Sequence, residues 1–378
     1  MKTTQLRLIV LVLVAAFCGA CQKEEGGTAY DYYVFVTLAG TGKVASFSMD
    51  SGNGRLTEVT GSPFAAGTEP QSAAAVTINT STVDVQGHYL YVTNYFSDSV
   101  SAYAIDAASG ALAAVTGSPF SAGLGPYALT IEPTGKFAYV ANADADSIWP
   151  YSIDPDTGVL SPFGTLAAAA GLHPSSIAVD PAGLFVYAAN EYSGNITVYA
   201  INLGSGELTP IVGSPFATSG YPRSFAIAPN GKFAYAANTT TRNVAAYDVD
   251  AVAGSLSVIA GSPYTSGNNA AAVAIDPASK FVYVANMEAS TISAYEINQD
   301  TGVLTAVSGS PFATGAAPVS VIVDPSGQFL FVVNYWGDSI SAYSIDSTTG
   351  ALTESSKSPY ALADGAHPSC ITAIRIAR

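Results

Sequence analysis

One four-residue slot returns along this chain at a fixed interval, and no other feature narrows the possible folds as much. It reads Tyr91-Val92-Thr93-Asn94, Tyr139-Val140-Ala141-Asn142, Tyr187-Ala188-Ala189-Asn190, Tyr235-Ala236-Ala237-Asn238, Tyr283-Val284-Ala285-Asn286 and Phe331-Val332-Val333-Asn334. The asparagines stand at 94, 142, 190, 238, 286 and 334, so every step is 48 residues. A diverged copy without the asparagine, Phe35-Val36-Thr37-Leu38, stands ahead of them. Self-similarity at this period marks a repeat architecture, in which a single unit cannot bury its own apolar surface.

The interior of one repeat defines the unit. Residues 127–131 alternate as a strand, Glu132-Pro133-Thr134-Gly135 turns, and 136–140 form a second strand. After a loop, 148–153 form a third strand, and Asp154-Pro155-Asp156-Thr157-Gly158 turns into a short fourth. Apolar residues fall on both faces, as they must when each four-stranded blade is sandwiched between two others. No stretch has helical periodicity.

Inner strands begin near Ser72, Tyr127, Ser175, Ser224, Ala271, Val319 and Cys370, which makes seven. The chain enters midway through a blade, with strands at 33–37, 43–49 and 55–59, and leaves on a lone strand at 370–377. The tail therefore supplies the strand that the beginning lacks, so no edge is left open. The expected fold is all-β: a seven-bladed β-propeller of four-stranded antiparallel blades over 30–378, its ring closed by the C-terminal strand joining the N-terminal blade. An excess of eight residues at 79–86 should lengthen one turn. Ser-Pro-Phe/Tyr at 62–64, 118–120, 214–216, 262–264, 310–312 and 358–360 should fix a loop after the fourth strand, its aromatic packing between blades.

The first residues carry an address. Lys2 and Arg7 precede an apolar run at 8–17, too short to span a bilayer and suited to a signal-peptide core. Cys18-Gly19-Ala20-Cys21 follows and resembles a bacterial lipobox. Residues 1–20 thus read as a lipoprotein-type signal peptide, and 21–29 as a tether beginning at a lipidated Cys21. The protein is expected to be exported, at the outer membrane or as a periplasmic or cell-surface lipoprotein. Cys370 then remains alone, with no internal disulfide, and reads as a small core residue.

Thirteen Lys and Arg against 28 Asp and Glu give a net charge of −15. Clustered cations are needed to neutralise phosphates, so nucleic acid is excluded as a partner. The same deficit excludes docking on anionic lipid head groups, leaving the N-terminal anchor as the membrane contact. The chain is expected to act as a monomer.

The YVTN-like slot, the inner strand ending in Asp-Pro and the Thr-Gly turn together resemble the YVTN-repeat and lactonase-type propellers, which include phosphogluconolactonases and carboxymuconate cyclases. The resemblance covers residues 30–378. In that group an inner strand starts Pro-Arg-His, the next strand of the same blade ends Asn-Glu, and the preceding blade carries a histidine. Pro222-Arg223-Ser224 matches the first part, with Ser224 in place of the histidine. Asn238-Thr239 lacks the glutamate, Asn190-Glu191 has the dipeptide one blade earlier, and His173 lies two residues from the position expected for the histidine, Ser175.

Loops before the inner strand and after the second strand share one mouth of a propeller's channel. One sector of that mouth gathers His173 and Glu191 beside Tyr221 and Arg223. Arg223 could stabilise an oxyanion while His173 or Glu191 activates water, or the group could bind a carboxylate or sugar acid; a surface ion pair beside a solvated histidine is the plainer alternative. Tyr95, Tyr127, Tyr221, Tyr335 and Trp336 suit stacking on a sugar or peptide, or packing between blades.

His88 reads as a surface residue flanking a turn. Asn142-x-Asp144-x-Asp146 lacks the glycine and distal glutamate of an EF-hand calcium loop, and no metal or cofactor is expected. Two functions follow. The displaced residues favour a lipid-anchored envelope module that binds a protein or glycan; the alternative is a lactonase-type hydrolase opening a sugar or muconate lactone.

Overall fold

A computed structural model describes residues 29–82, 85–164 and 168–378; the segment read as a signal peptide, and Cys21, lie outside the described residues. Seven antiparallel sheets form, each a run of four strands from an inner edge outward. The third blade shows the order, with Pro126–Ile131, Phe137–Asn142, Ser147–Ile153 and Leu160–Pro162. The strands that carry the repeated slot are buried because both faces meet a neighbouring blade: Phe185–Asn190, Phe233–Asn238 and Phe281–Asn286 are buried at every position.

The ring closes as the sequence implies. Tyr30–Leu38 pairs antiparallel with Pro368–Ala377, from Tyr30 opposite Ala377 to Thr37 opposite Cys370. Each sheet also holds a fifth strand that the sequence reading missed. Two residues after each Ser-Pro, such as Phe120–Ser121, pair with the start of the third strand, here Val100 opposite Phe120. The serine sets this path by accepting a third-strand N–H on its hydroxyl: Ala102 N donates to Ser118 Oγ at 2.9 Å, and Ala246 N to Ser262 Oγ at 2.9 Å. The Ser-Pro peptide bonds at these positions are cis. The segment is thus a folded edge strand, with its aromatic packed against the core.

The eight-residue excess also behaves differently from the expectation. It extends both strands of a hairpin, Pro70–Asn79 and Gln86–Asn94, which stay paired from Pro70 opposite Asn94 to Asn79 opposite Gln86. Continued pairing satisfies backbone groups that a longer turn would leave to water. His88 lies inside this hairpin, half-buried, with Nδ1 2.9 Å from Thr77 Oγ1, and burial lowers its pKa.

The repeated tyrosine is the bolt between blades. Tyr139 donates to the carbonyl of Gly206 in the next blade at 2.9 Å, Tyr235 to Gly302 at 3.0 Å and Tyr283 to Gly350 at 3.0 Å. The accepting glycine has φ between 68° and 75° at these positions, and a Cβ there would lie 2.4 to 2.6 Å from an aromatic carbon of the preceding blade. Glycine is needed for backbone and for space. In the first blade Phe35 has no hydroxyl, and Ser46, its cross-strand partner, donates to Gly110 instead at 2.8 Å. Tyr187 alone leaves its buried hydroxyl without a hydrogen bond among the described residues.

That contrast is testable by urea unfolding. Tyr139→Phe strands the Gly206 carbonyl and should cost about 1–2 kcal/mol. Tyr187→Phe removes an unsatisfied hydroxyl and should leave the midpoint unchanged or raise it.

Candidate functional site

The mouth is built from two loops per blade that hold each other by backbone hydrogen bonds. The residue after the slot asparagine donates to the residue before the inner strand: Tyr95 to Glu69 at 3.0 Å, Ala143 to Gly125 at 2.7 Å, Glu191 to His173 at 2.9 Å and Thr239 to Tyr221 at 3.0 Å. The asparagine stitches this corner. Asn94 Oδ1 accepts the Gly67 N–H at 2.9 Å while its Nδ2 donates to Ser101 Oγ at 3.0 Å. Residues before the inner-strand proline often take the left-handed backbone, as Glu69 (φ 54°), His173 (φ 55°) and His367 (φ 44°) do. An aspartate in the facing loop secures the two histidines: Asp146 Oδ1 accepts the His173 N–H at 2.8 Å, and Asp338 Oδ1 that of His367 at 2.7 Å.

Behind these loops the inner strands enclose a cavity of about 520 Å³. Its wall carries Arg223, Tyr127, Tyr95 and Tyr335 from the predicted set, together with Glu69 and Met287. Arg223 is half-buried and donates to the Tyr127 hydroxyl at 3.3 Å and to Met287 Sδ at 3.9 Å. No carboxylate of the described residues lies within salt-bridge distance of it. Tyr127, then Glu191, raise its pKa against the burial that opposes them, so the guanidinium stays charged. A charge without a paired counter-ion, facing a cavity, is costly to keep unless something binds there.

His173 and Glu191 are brought together, but with each other. His173 Nδ1 lies 3.5 Å from Glu191 Oε2, both side chains 16% exposed, and Nδ1 is buried without a hydrogen bond. The pair is absent from the cavity wall and stands behind Tyr127, whose ring is 5.7 Å from that of His173. Tyr221 and Trp336 are 46% and 64% exposed and also lie outside the wall.

Glu69 and Gln71, from the loop and strand start of the second blade, were not among the expected site residues. Both line the cavity, and Gln71 Nε2 donates to Glu69 Oε1 at 2.9 Å. The available signal was positional: Glu69 is the only carboxylate in the slot that holds His173 two blades on. Cys370 is a correction too. It lines the cavity rather than the core, because its inner-strand position faces the channel as Ser72, Ser224 and Ser320 do. Burial pushes its thiol up. The carboxylates of the calcium-like pattern are spoken for, with Asp144 accepting the Tyr95 hydroxyl at 2.8 Å and Asp146 the His173 amide.

The departures from the lactonase motif have structural reasons. Ser224, where a histidine was expected, accepts the Val273 N–H of the next blade at 3.2 Å. Ser175 donates to the Pro222 carbonyl at 3.0 Å, and Thr239 to the Tyr221 carbonyl at 3.3 Å.

The family described as lactonase, 7-bladed β-propeller, matches residues 29–169, 165–265 and 256–372. The chain belongs to this lactonase family. Solved structures agree on the fold. The chain is similar to a 6-phosphogluconolactonase candidate from Bacteroides fragilis, with 21% identity, TM-score 0.78, and 93% of this chain and 100% of that one covered. A second candidate, from Bacteroides uniformis, gives 19%, 0.77, 91% and 99%. The periplasmic gluconolactonase of Pseudomonas aeruginosa gives 18%, 0.74, 92% and 99%. No curated relative matches the chain. Likeness at this identity establishes the shared scaffold, and the lactonase propeller's chemistry must be read from its own mouth.

One titration in that mouth is set by geometry. Burial, reinforced by the bond to Asp144, pushes the Tyr95 pKa up to about 12. A phenol near 10 when unfolded and near 12 when folded contributes stability that is complete below about pH 10 and vanishes as pH rises toward 12. Difference absorbance of the wild type against Tyr95→Phe should place the transition near 12, and Asp144→Asn should move it down.

Proposed function

We propose that the protein is a lactonase-type hydrolase that opens the lactone of a sugar acid in the cavity at its channel mouth. Arg223 carries this reading: it is a charged, half-buried group without a carboxylate partner, facing a cavity of about 520 Å³. Family membership supports the hydrolase over the non-catalytic binding module that the displaced residues favoured.

The chemistry follows from the wall. A lactone carbonyl oxygen placed against the Arg223 guanidinium and the Tyr127 hydroxyl gains negative charge as water attacks, and both groups stabilise it in the tetrahedral state. Glu69, oriented by Gln71, accepts the proton from the attacking water. The ring C–O bond then breaks, the leaving oxygen takes back the proton held by Glu69, and the product is a hydroxy acid that ionises to a carboxylate held on Arg223 until release. His173 and Glu191 are positioning residues here: they pack behind Tyr127 and hold the guanidinium's surroundings. This moves the base from the pair named in sequence to the carboxylate on the cavity wall.

Acid release from a panel of sugar lactones and muconolactones checks the assignment. Arg223→Ala should lower kcat/KM by about 100-fold or more without shifting the melting temperature, and Arg223→Lys should retain part of the activity. Glu69→Gln should cost about 100-fold or more in kcat. An unchanged rate in Arg223→Ala would sink the proposal.

We also propose that the enzyme is exported and anchored through a lipid on Cys21, as the lipobox-like Cys18-Gly19-Ala20-Cys21 supports. Cys21→Ser should move the protein from the membrane fraction to the soluble fraction; an unaltered distribution contradicts the anchor.

A further inference from the structure

Outside the cavity wall, rings continue across the mouth in an unbroken arc. Tyr127 lies 5.7 Å from His173, His173 stacks on Tyr192 at 4.3 Å and 24°, and Tyr192 meets Tyr221 at 6.5 Å. On the other side Tyr95 lies 6.1 Å from Tyr127. The arc starts at the cavity and ends in solvent, with Tyr192 60% and Tyr221 46% exposed. Stacked aromatics this exposed are expensive on a soluble face unless a ligand covers them.

We propose that this arc is a carbohydrate-stacking subsite, and that the cavity takes the terminal aldonolactone of an oligosaccharide rather than a free monosaccharide. The inference rests on the hydrolase reading and specifies its substrate class. Two observations select a neutral sugar chain. First, the loops around the arc, at 95–98, 122–125, 143–146, 170–173, 191–194, 218–221 and 239–242, contain Asp98, Asp144, Asp146 and Glu191 against Arg242 as their one cation. Phosphorylated or acidic chains are repelled there, so the one anionic group of the ligand must sit on Arg223. Second, Tyr192 and Tyr221 join an apolar face to a polar edge, which suits the C–H face and hydroxyl rim of a pyranose. The arc is also continuous with the cavity through Tyr127, so a chain whose terminal unit fills the cavity would lay its next units on these rings.

Calorimetry on the full chain tests this with gluconate and with the aldonic acids of maltose, cellobiose, maltopentaose and cellopentaose. One of the pentaose acids should bind at least tenfold more tightly than gluconate. Tyr192→Ala and Tyr221→Ala, both at exposed rings, should each weaken that acid about three- to tenfold while leaving gluconate unchanged. Equal affinity at every length in both series, or a gain that survives both substitutions, overturns the inference. The hydrolase reading fails separately: in that case lactones stay closed while the length-dependent binding of the acids persists.

Discussion

The pairing of the last strand with the first is the constraint on which the rest depends. The blade that opens the chain has no inner strand of its own until Pro368–Ala377 arrives from the other end. Thr37, in the diverged copy of the repeated slot, secures it: Cys370 N donates to Thr37 Oγ1 at 2.9 Å, and Thr37 Oγ1 lies 2.7 Å from Ser369 Oγ. Ser369 reaches on to the Pro70 carbonyl at 2.5 Å, so the closing blade is latched to the next one. Without it the inner strands could not face a common axis, and the cavity would have no wall.

Given a closed ring, the repeat supplies almost everything structural and almost nothing chemical. Tyrosine bolts, glycine seats and asparagine stitches recur because each blade faces the same packing problem as its neighbour. Buried aspartates do similar work in the inner turns. Asp180 and Asp276 accept several backbone N–H groups each, and for Asp276 burial outweighs those bonds and raises the carboxyl pKa. Specific chemistry enters where the copies differ. The residue after the inner-strand start is Gln71, Tyr127, Ser175, Arg223, Ala271, Val319 or Ser369, so a single cation is delivered to the axis. A propeller therefore carries a site as a break in its own symmetry.

This explains what could be read in advance. The number of blades, the shared closing blade and the two loop sets of the mouth follow from period and alternation, which packing fixes rigidly. The fifth strand was not legible, because two residues carry no periodicity and its path depends on the Ser118-type hydroxyl reaching an adjacent strand. Arg223 was found through its motif. Glu69 escaped notice because its place on the cavity wall depends on which side chains face the axis, settled only once the register at Pro70 opposite Asn94 is known. His173 and Glu191 were placed in one sector of the mouth, yet they face each other, and Tyr127 rather than either of them lines the cavity.

The central claim is that Arg223 is the anion-holding group of a ligand cavity. A crystal structure of the protein with bound gluconate tests it directly. The account requires the carboxylate to rest on the Arg223 guanidinium beside the Tyr127 hydroxyl. A carboxylate bound elsewhere while Arg223 keeps only Tyr127 and Met287 as partners would contradict it.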